Sequence, residues 1–198
     1  MVLQLRTFWK RLTHSAFVRN VALLSSGSAI QNVGLLAASP ILARLFSPDD
    51  FGIAAIIYAA VGIVGPLASG SYDAAIVVQN KRSNAIHAYW VALIFALMFC
   101  CVVFVIVQIF YNYIPYPPTQ WAEFAAFIPL IMVLVSWLQA SRSWATREKD
   151  YIVVFRNHLL ETLSMIGVQL IAGFAAIGPV GLLAGRAVGL AVACSHAI

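Results

Sequence analysis

"AIHAYWVALIFALMFCCVVFVIVQIF", residues 85–110, contains no aspartate, glutamate, lysine or arginine. A helix on the surface of a soluble domain keeps one polar face, whereas this stretch is apolar on every face, as expected for a helix in a core or a membrane. About 20 such residues cross the roughly 30 Å of hydrocarbon in a bilayer. Residues 85–110 are long enough, so the question is whether the rest of the chain shares their texture.

It does. Of 198 residues, 62% are hydrophobic and 10% are charged, and the mean hydropathy is +0.90. Soluble domains hold about 45–50% apolar and about 25% charged residues. This composition excludes a water-soluble domain and makes the phospholipid bilayer the solvent. Six segments qualify as spans, approximately 21–46, 51–78, 85–110, 124–140, 159–177 and 180–198. The connections between them are short and rich in turn residues: "SPDD" at 47–50, "QNKRSN" at 79–84, "YNYIPYPPTQ" at 111–120, "SRSWATREKD" at 141–150 and "GP" at 178–179. The expected fold class is therefore all-α, a polytopic transmembrane helix bundle of about six spans.

Charge gives the orientation. Arg6, Lys10, Arg11 and Arg19 precede the first span, Lys81 and Arg82 follow the second, and Arg142, Arg147, Lys149 and Arg156 follow the fourth. These are 10 of the 12 basic residues, all on one side. Cytoplasmic loops carry the excess of lysine and arginine, so both termini are expected in the cytoplasm. The net charge of +5 thus has a source in topology, and no nucleic-acid partner is expected. In residues 1–20, Leu5, Phe8, Leu12 and Ala16 recur at helical spacing with basic residues between them. That pattern suits an amphipathic helix on the inner leaflet, and a frayed basic tail is the other reading. A cleaved signal has an apolar core of about 7–15 residues, so the longer run at 21–46 reads as an uncleaved span.

Polar residues inside the spans are the candidate functional groups, because polar side chains at membrane depth face protein or a wet cavity. Ser25, Ser28, Asn32 and Ser39 form one stripe on the first span, with Gln31 alongside, and Pro40 is expected to kink that helix. Plain interhelical hydrogen bonding accounts for the stripe equally well. Gly181, Gly185 and Gly189 make a small-residue face for close packing on the sixth span. Arg186 adjoins that face, about 10 Å beyond Pro179 along the helix, deep enough to need a cavity or a carboxylate. A guanidinium turned toward the polar stripe would mark it for substrate; one buried against Asp or Glu would mark it as structural. Asp73 lies about 33 Å along a straight helix from Phe51, at the inner edge of the hydrocarbon. Glu161 lies at similar depth near Arg156 and His158. Asp73, Glu161 and Arg156 are therefore expected to cluster at the inner mouth, as an ion-pair latch or as a gate or ion-coupling site.

Other chemistry is sparse. The sequence has no nucleotide-binding or nucleophile motif, the four histidines are scattered, and His158 with Glu161 does not complete a metal site. No enzyme activity, cofactor or metal is expected. Cys100, Cys101 and Cys194 read as packing residues.

"ARLFSPDDFG" (43–52), "YDAAIV" (72–77), "REKDYIVVFRNHLLETL" (147–163) and "GLLAGRAVG" (181–189), in this order and spacing, resemble the amino-terminal half of polysaccharide flippases. These are the Wzx-type O-antigen and exopolysaccharide transporters, in the superfamily that also holds the MATE exporters. The resemblance implies one lobe of a MATE-like, two-lobed transporter working by alternating access in the bacterial inner membrane. It implies translocation of undecaprenyl-pyrophosphate-linked oligosaccharide, with this chain a truncated or partial form, and glycan polymerase and ligase as further partners. A lumen lined by Ser28, Gln31, Asn32, Arg44 and Arg186 would replace the water stripped from sugar and phosphate. A cation or drug antiporter lobe of the same superfamily and a non-transporting scaffold for glycan-synthesis enzymes are the alternatives. A lumen-facing, isolated carboxylate would favour the former, and a dry, fully packed bundle the latter.

Overall fold

The computed structural model describes residues 16–70, 72–79, 81–113 and 124–196, and every regular element among them is an α-helix. We number the helices α1 (Ala16–Leu45), α2 (Pro48–Ala68), α3 (Tyr72–Val78), α4 (Arg82–Tyr113), α5 (Phe127–Arg147), α6 (Tyr151–Phe174) and α7 (Pro179–Ser195). Most of the expected amphipathic segment 1–20 lies outside the described residues.

The helix ends follow from local chemistry. "SPDD" is not a bare connection but the start of α2. Ser47 is its N-cap: Ser47 Oγ accepts from the Asp50 N–H at 3.2 Å, and Asp50 Oδ2 accepts from the Ser47 N–H at 2.9 Å. This reciprocal capping box, with Pro48 opening the helix and Asp49 and Asp50 in its first turn, satisfies backbone donors left free at a helix start. The expected span 51–78 is interrupted. α2 ends at a turn holding Ser69 and Gly70, and Gly70 has φ +54°, the left-handed region that suits glycine. A Cβ there would stand 3.1 Å from Phe95 Cε1 on α4, so the glycine also permits close approach. Pro40 sits inside α1, which continues through it to Leu45. α5 extends past the apolar run to Arg147, absorbing most of a segment expected to be a loop. Asp150 caps α6 by accepting from the Val153 N–H.

Among the described residues, three helices are long and apolar enough to cross a membrane, over Val21–Leu45, Pro48–Gly65 and Arg82–Ile109. α4 presents Ile94, Leu97, Met98, Val102, Val105 and Ile109 outward, all exposed in the isolated bundle. Those side chains have lipid as their natural solvent. α5 and α6, with 21 and 24 residues, reach about 32 and 36 Å at 1.5 Å per residue, but carry charged residues.

α6 and α7 form the central pair. The glycine face of α7 lies against α6 so closely that a Cβ at Gly181 would stand 2.5 Å from Ala172 Cβ, and one at Gly189 2.7 Å from the Glu161 carbonyl oxygen. The packing reading of that face holds. α1 packs on α6 in the same manner, with Gly27 against His158 and Gly34 against Thr162. α5 spans both halves, touching α2, α3 and α4 on one side and α6 and α7 on the other. Its buried Ile131, Met132 and Leu138 join Ile57, Leu183 and Leu190 in the core.

Candidate functional site

A cavity of about 870 Å³ opens among α1, α2, α5, α6 and α7 and reaches the start of α3. Its apolar walls carry four amides (Gln31, Asn32, Gln139 and Gln169), hydroxyls from Tyr58, Ser69 and Ser136, and two charged groups, Asp73 and Arg186. Several of these are fixed. Tyr58 donates to the Leu182 carbonyl at 2.8 Å, and Gln169 Nε2 donates to the same oxygen at 3.2 Å. Gln31 Oε1 and His158 Nδ1 are 2.8 Å apart, tying α1 to α6 at the cavity edge.

Arg186 enters this cavity from α7 while held from behind. Its Nη1 donates to Glu161 Oε1 at 2.6 Å, and Arg142 Nη2 donates to Glu161 Oε2, also at 2.6 Å. One carboxylate thus divides its two oxygens between guanidinium groups on α5 and α7. Hydrogen bonds between ionised partners at such distances are among the strong ones. The Glu161 side chain is 2% exposed, that of Arg142 20% and that of Arg186 28%. The buried carboxylate is therefore compensated twice, and the triad carries one net positive charge.

The expected site residues separate into groups. Gln31, Asn32, Asp73 and Arg186 line the cavity together. Ser28 is exposed on α1, its hydroxyl donating to the Ser25 carbonyl at 3.1 Å, and is not among the lining residues. Arg44 is exposed in the last turn of α1, where a cation offsets the negative end of the helix dipole. The expected cluster of Asp73, Glu161 and Arg156 does not form. Arg156 and Glu161 are five residues apart on one helix, about 140° around its axis, so they occupy opposite faces. Arg156 instead donates to the His196 carbonyl at 3.0 Å, closing the end of α7. Asp73 Oδ1 accepts from Ser69 Oγ at 3.1 Å, and no lysine or arginine of the described residues pairs with it. Arg186 faces the cavity shared with Gln31 and Asn32, as expected for substrate handling, but it is paired with the buried Glu161, the arrangement expected of a structural role. It is therefore not a free cation.

Arg142 was the principal residue the sequence reading missed as a site member, having been counted among loop cations. The available signal was the small-residue face Ala140, Ser141 and Ala145, all buried, which continues the helix past the last apolar residues. Gln139, Gln169 and Tyr58 were also missed; Gln169 and Tyr58 are lone polar groups in apolar runs, and Gln139 stands among the serines that lead into the basic segment. Among the described residues no group of three His, Cys, Asp or Glu could hold a metal ion.

An all-α polytopic membrane bundle with a charge-bearing cavity opening among its helices is the class that fold and site define. A family model described as polysaccharide biosynthesis protein matches residues 41–197, most of the chain, and the chain belongs to that family. Its work thus lies in polysaccharide biosynthesis or transport. Comparison with curated proteins and with solved structures gives no match.

Proposed function

We propose that the chain takes part in moving lipid-linked oligosaccharide, carried on undecaprenyl pyrophosphate, across the bacterial inner membrane, and that it does so without catalysing a covalent reaction. The observation that carries this reading is a cavity whose apolar walls bear amides, hydroxyls and the Arg186 guanidinium inside an apolar bundle. Sugar hydroxyls and phosphate oxygens lose their water on entering hydrocarbon, and each needs a replacement hydrogen-bond partner. The four amides, the Tyr58 and serine hydroxyls and the Arg186 guanidinium offer such partners. A guanidinium pairs bidentately with phosphate oxygens, as it does with a carboxylate. The distribution of basic residues supports an orientation with both termini in the cytoplasm.

One observation favours a second reading. Asp73 lines the same cavity without a cationic partner among the described residues, which is what a cation or drug antiporter would use. The cavity itself argues against a dry scaffold.

The test is reconstitution of the purified chain into proteoliposomes containing undecaprenyl-pyrophosphate-linked oligosaccharide in both leaflets. An impermeant glycosidase added outside should digest nearly all the glycolipid, against only the outer-leaflet share in protein-free vesicles. Digestion that stops at the outer-leaflet share would remove translocation by this chain, and proton-driven export of an organic cation from the same vesicles would select the antiporter.

A further inference from the structure

We infer that Glu161 and Arg142 form a positioning device that holds Arg186 ready and lets it transfer to an oxyanion entering the cavity. The inference rests on the reading of the cavity as a seat for a phosphate-bearing substrate. It adds residues that do not touch the cavity, since neither Glu161 nor Arg142 is among its lining side chains.

The argument begins with the cost of moving a charge. A buried carboxylate paired with one arginine holds that arginine tightly, because departure leaves an uncompensated charge in a poorly solvated place. Glu161 is buried, yet it has two arginines, one on each oxygen. If Arg186 leaves Oε1, Arg142 remains on Oε2 and the carboxylate stays neutralised. The two arginines also differ in position. Arg186 lines the cavity, whereas Arg142 is absent from its wall. The displaceable partner is therefore the one facing the ligand.

Geometry limits the movement. Gly185 and Gly189 press α7 against α6 on either side of Arg186, so its backbone is fixed, and any transfer is a swing of the side chain. Met165 Sδ, 3.8 Å from Arg186 Nη1, gives the guanidinium a soft neighbour and offers little to hold it back. Asp73, the other charge on the cavity wall, is engaged by Ser69. It disfavours anions near α3 and so confines the oxyanion to the α7 side.

The device makes a prediction that simple structural importance does not. Binding of inorganic pyrophosphate to the purified full chain in detergent is measured by titration calorimetry for wild type, Arg142→Gln, Glu161→Gln and the double variant. Arg142→Gln leaves Arg186 as the sole partner of Glu161, and pyrophosphate affinity should fall at least tenfold although no cavity residue changes. Removing the carboxylate as well frees Arg186, and the double variant should bind within threefold of wild type. Glu161→Gln alone should bind at least as tightly as wild type, and Arg142→Met, which keeps the apolar stem on α5, replaces Arg142→Gln should that variant fail to fold. Weaker binding by Glu161→Gln, unchanged binding by Arg142→Gln, or a double variant no better than Arg142→Gln overturns the inference while leaving the anion site in place. No binding by folded wild type removes the anion reading of the cavity, and this inference with it.

Discussion

Arg186 Nη1 and Glu161 Oε1 lie 2.6 Å apart although the residues are on different helices, and the glycines flanking the arginine bring them together. With Gly185 and Gly189 in contact with α6, the guanidinium meets the carboxylate while facing the cavity. The small-residue face of α7 is thus both a packing device and the means of placing a charge.

Alanine at Gly189 should disrupt this crossing. Its Cβ would stand 2.7 Å from the Glu161 carbonyl oxygen and 2.8 Å from Met165 Cβ, and the first of these is backbone that cannot rotate away. Overpacking of this kind costs about 1–3 kcal/mol. Gly52→Ala is the control, because a Cβ there meets nothing within 4 Å. Thermal unfolding in detergent should show a lower midpoint for Gly189→Ala and an equal or higher one for Gly52→Ala. Equal midpoints for Gly189→Ala and wild type would contradict the close crossing.

The triad predicts an asymmetry between its members. Glu161→Ala leaves two guanidinium groups in a largely buried place with no counter-charge, and losing one partner of a buried pair costs about 3–5 kcal/mol. The lower end applies, because the arginines retain some access to solvent. Arg142→Gln leaves a balanced Glu161–Arg186 pair and should cost about 1 kcal/mol, within the range of an ordinary substitution. Chemical unfolding of the solubilised chain measures both, and a larger loss for Arg142→Gln than for Glu161→Ala would reverse the assignment of Glu161 as the hub.

Much of the fold was legible because lipid makes apolar runs nearly obligatory. Residues 85–110 declare a helix without further information, and α4 encloses them. The helix ends were less legible where polarity and helicity part company. Pro48–Asp50 look like a loop by hydropathy but start α2 through a cap, and 141–147 look like a loop by charge but continue α5. The site was half legible for the same reason. Arg186 stood out by its depth in an apolar run, whereas Arg142 was hidden among cations whose positions suited the cytoplasmic side. The error over Arg156 was one of angle. Depth along α6 was counted and rotation was not, although a step of five residues places side chains on opposite faces.

Orientation is open to direct labelling. Cys100 and Cys194 are buried and are replaced by alanine, and Cys101 is exposed and is replaced by serine. In that background, Ser47→Cys and Lys149→Cys place thiols at two exposed helix junctions. The basic-residue distribution predicts that an impermeant maleimide labels the first from outside intact cells and the second only after the inner membrane is opened. Labelling of the Lys149 site from outside would invert the topology.

Asp73 separates the two transport readings. Asparagine keeps an oxygen that can accept the Ser69 hydroxyl, now 3.1 Å from Oδ1, and removes only the charge. Stability should therefore change by no more than about 1 kcal/mol, the net worth of the one hydrogen bond concerned. For an oxyanion substrate the lost carboxylate is a repulsive neighbour, so glycolipid exposure to an impermeant glycosidase should persist at the wild-type rate or faster. For a cation substrate, Asp73 is the one carboxylate on the cavity wall, and its loss should abolish proton-driven efflux. Both assays run on the same proteoliposomes, with unfolding of the same preparation as a control. Undiminished stability with complete loss of glycolipid exposure would assign Asp73 to the transport cycle itself and count against its role as a bystander charge.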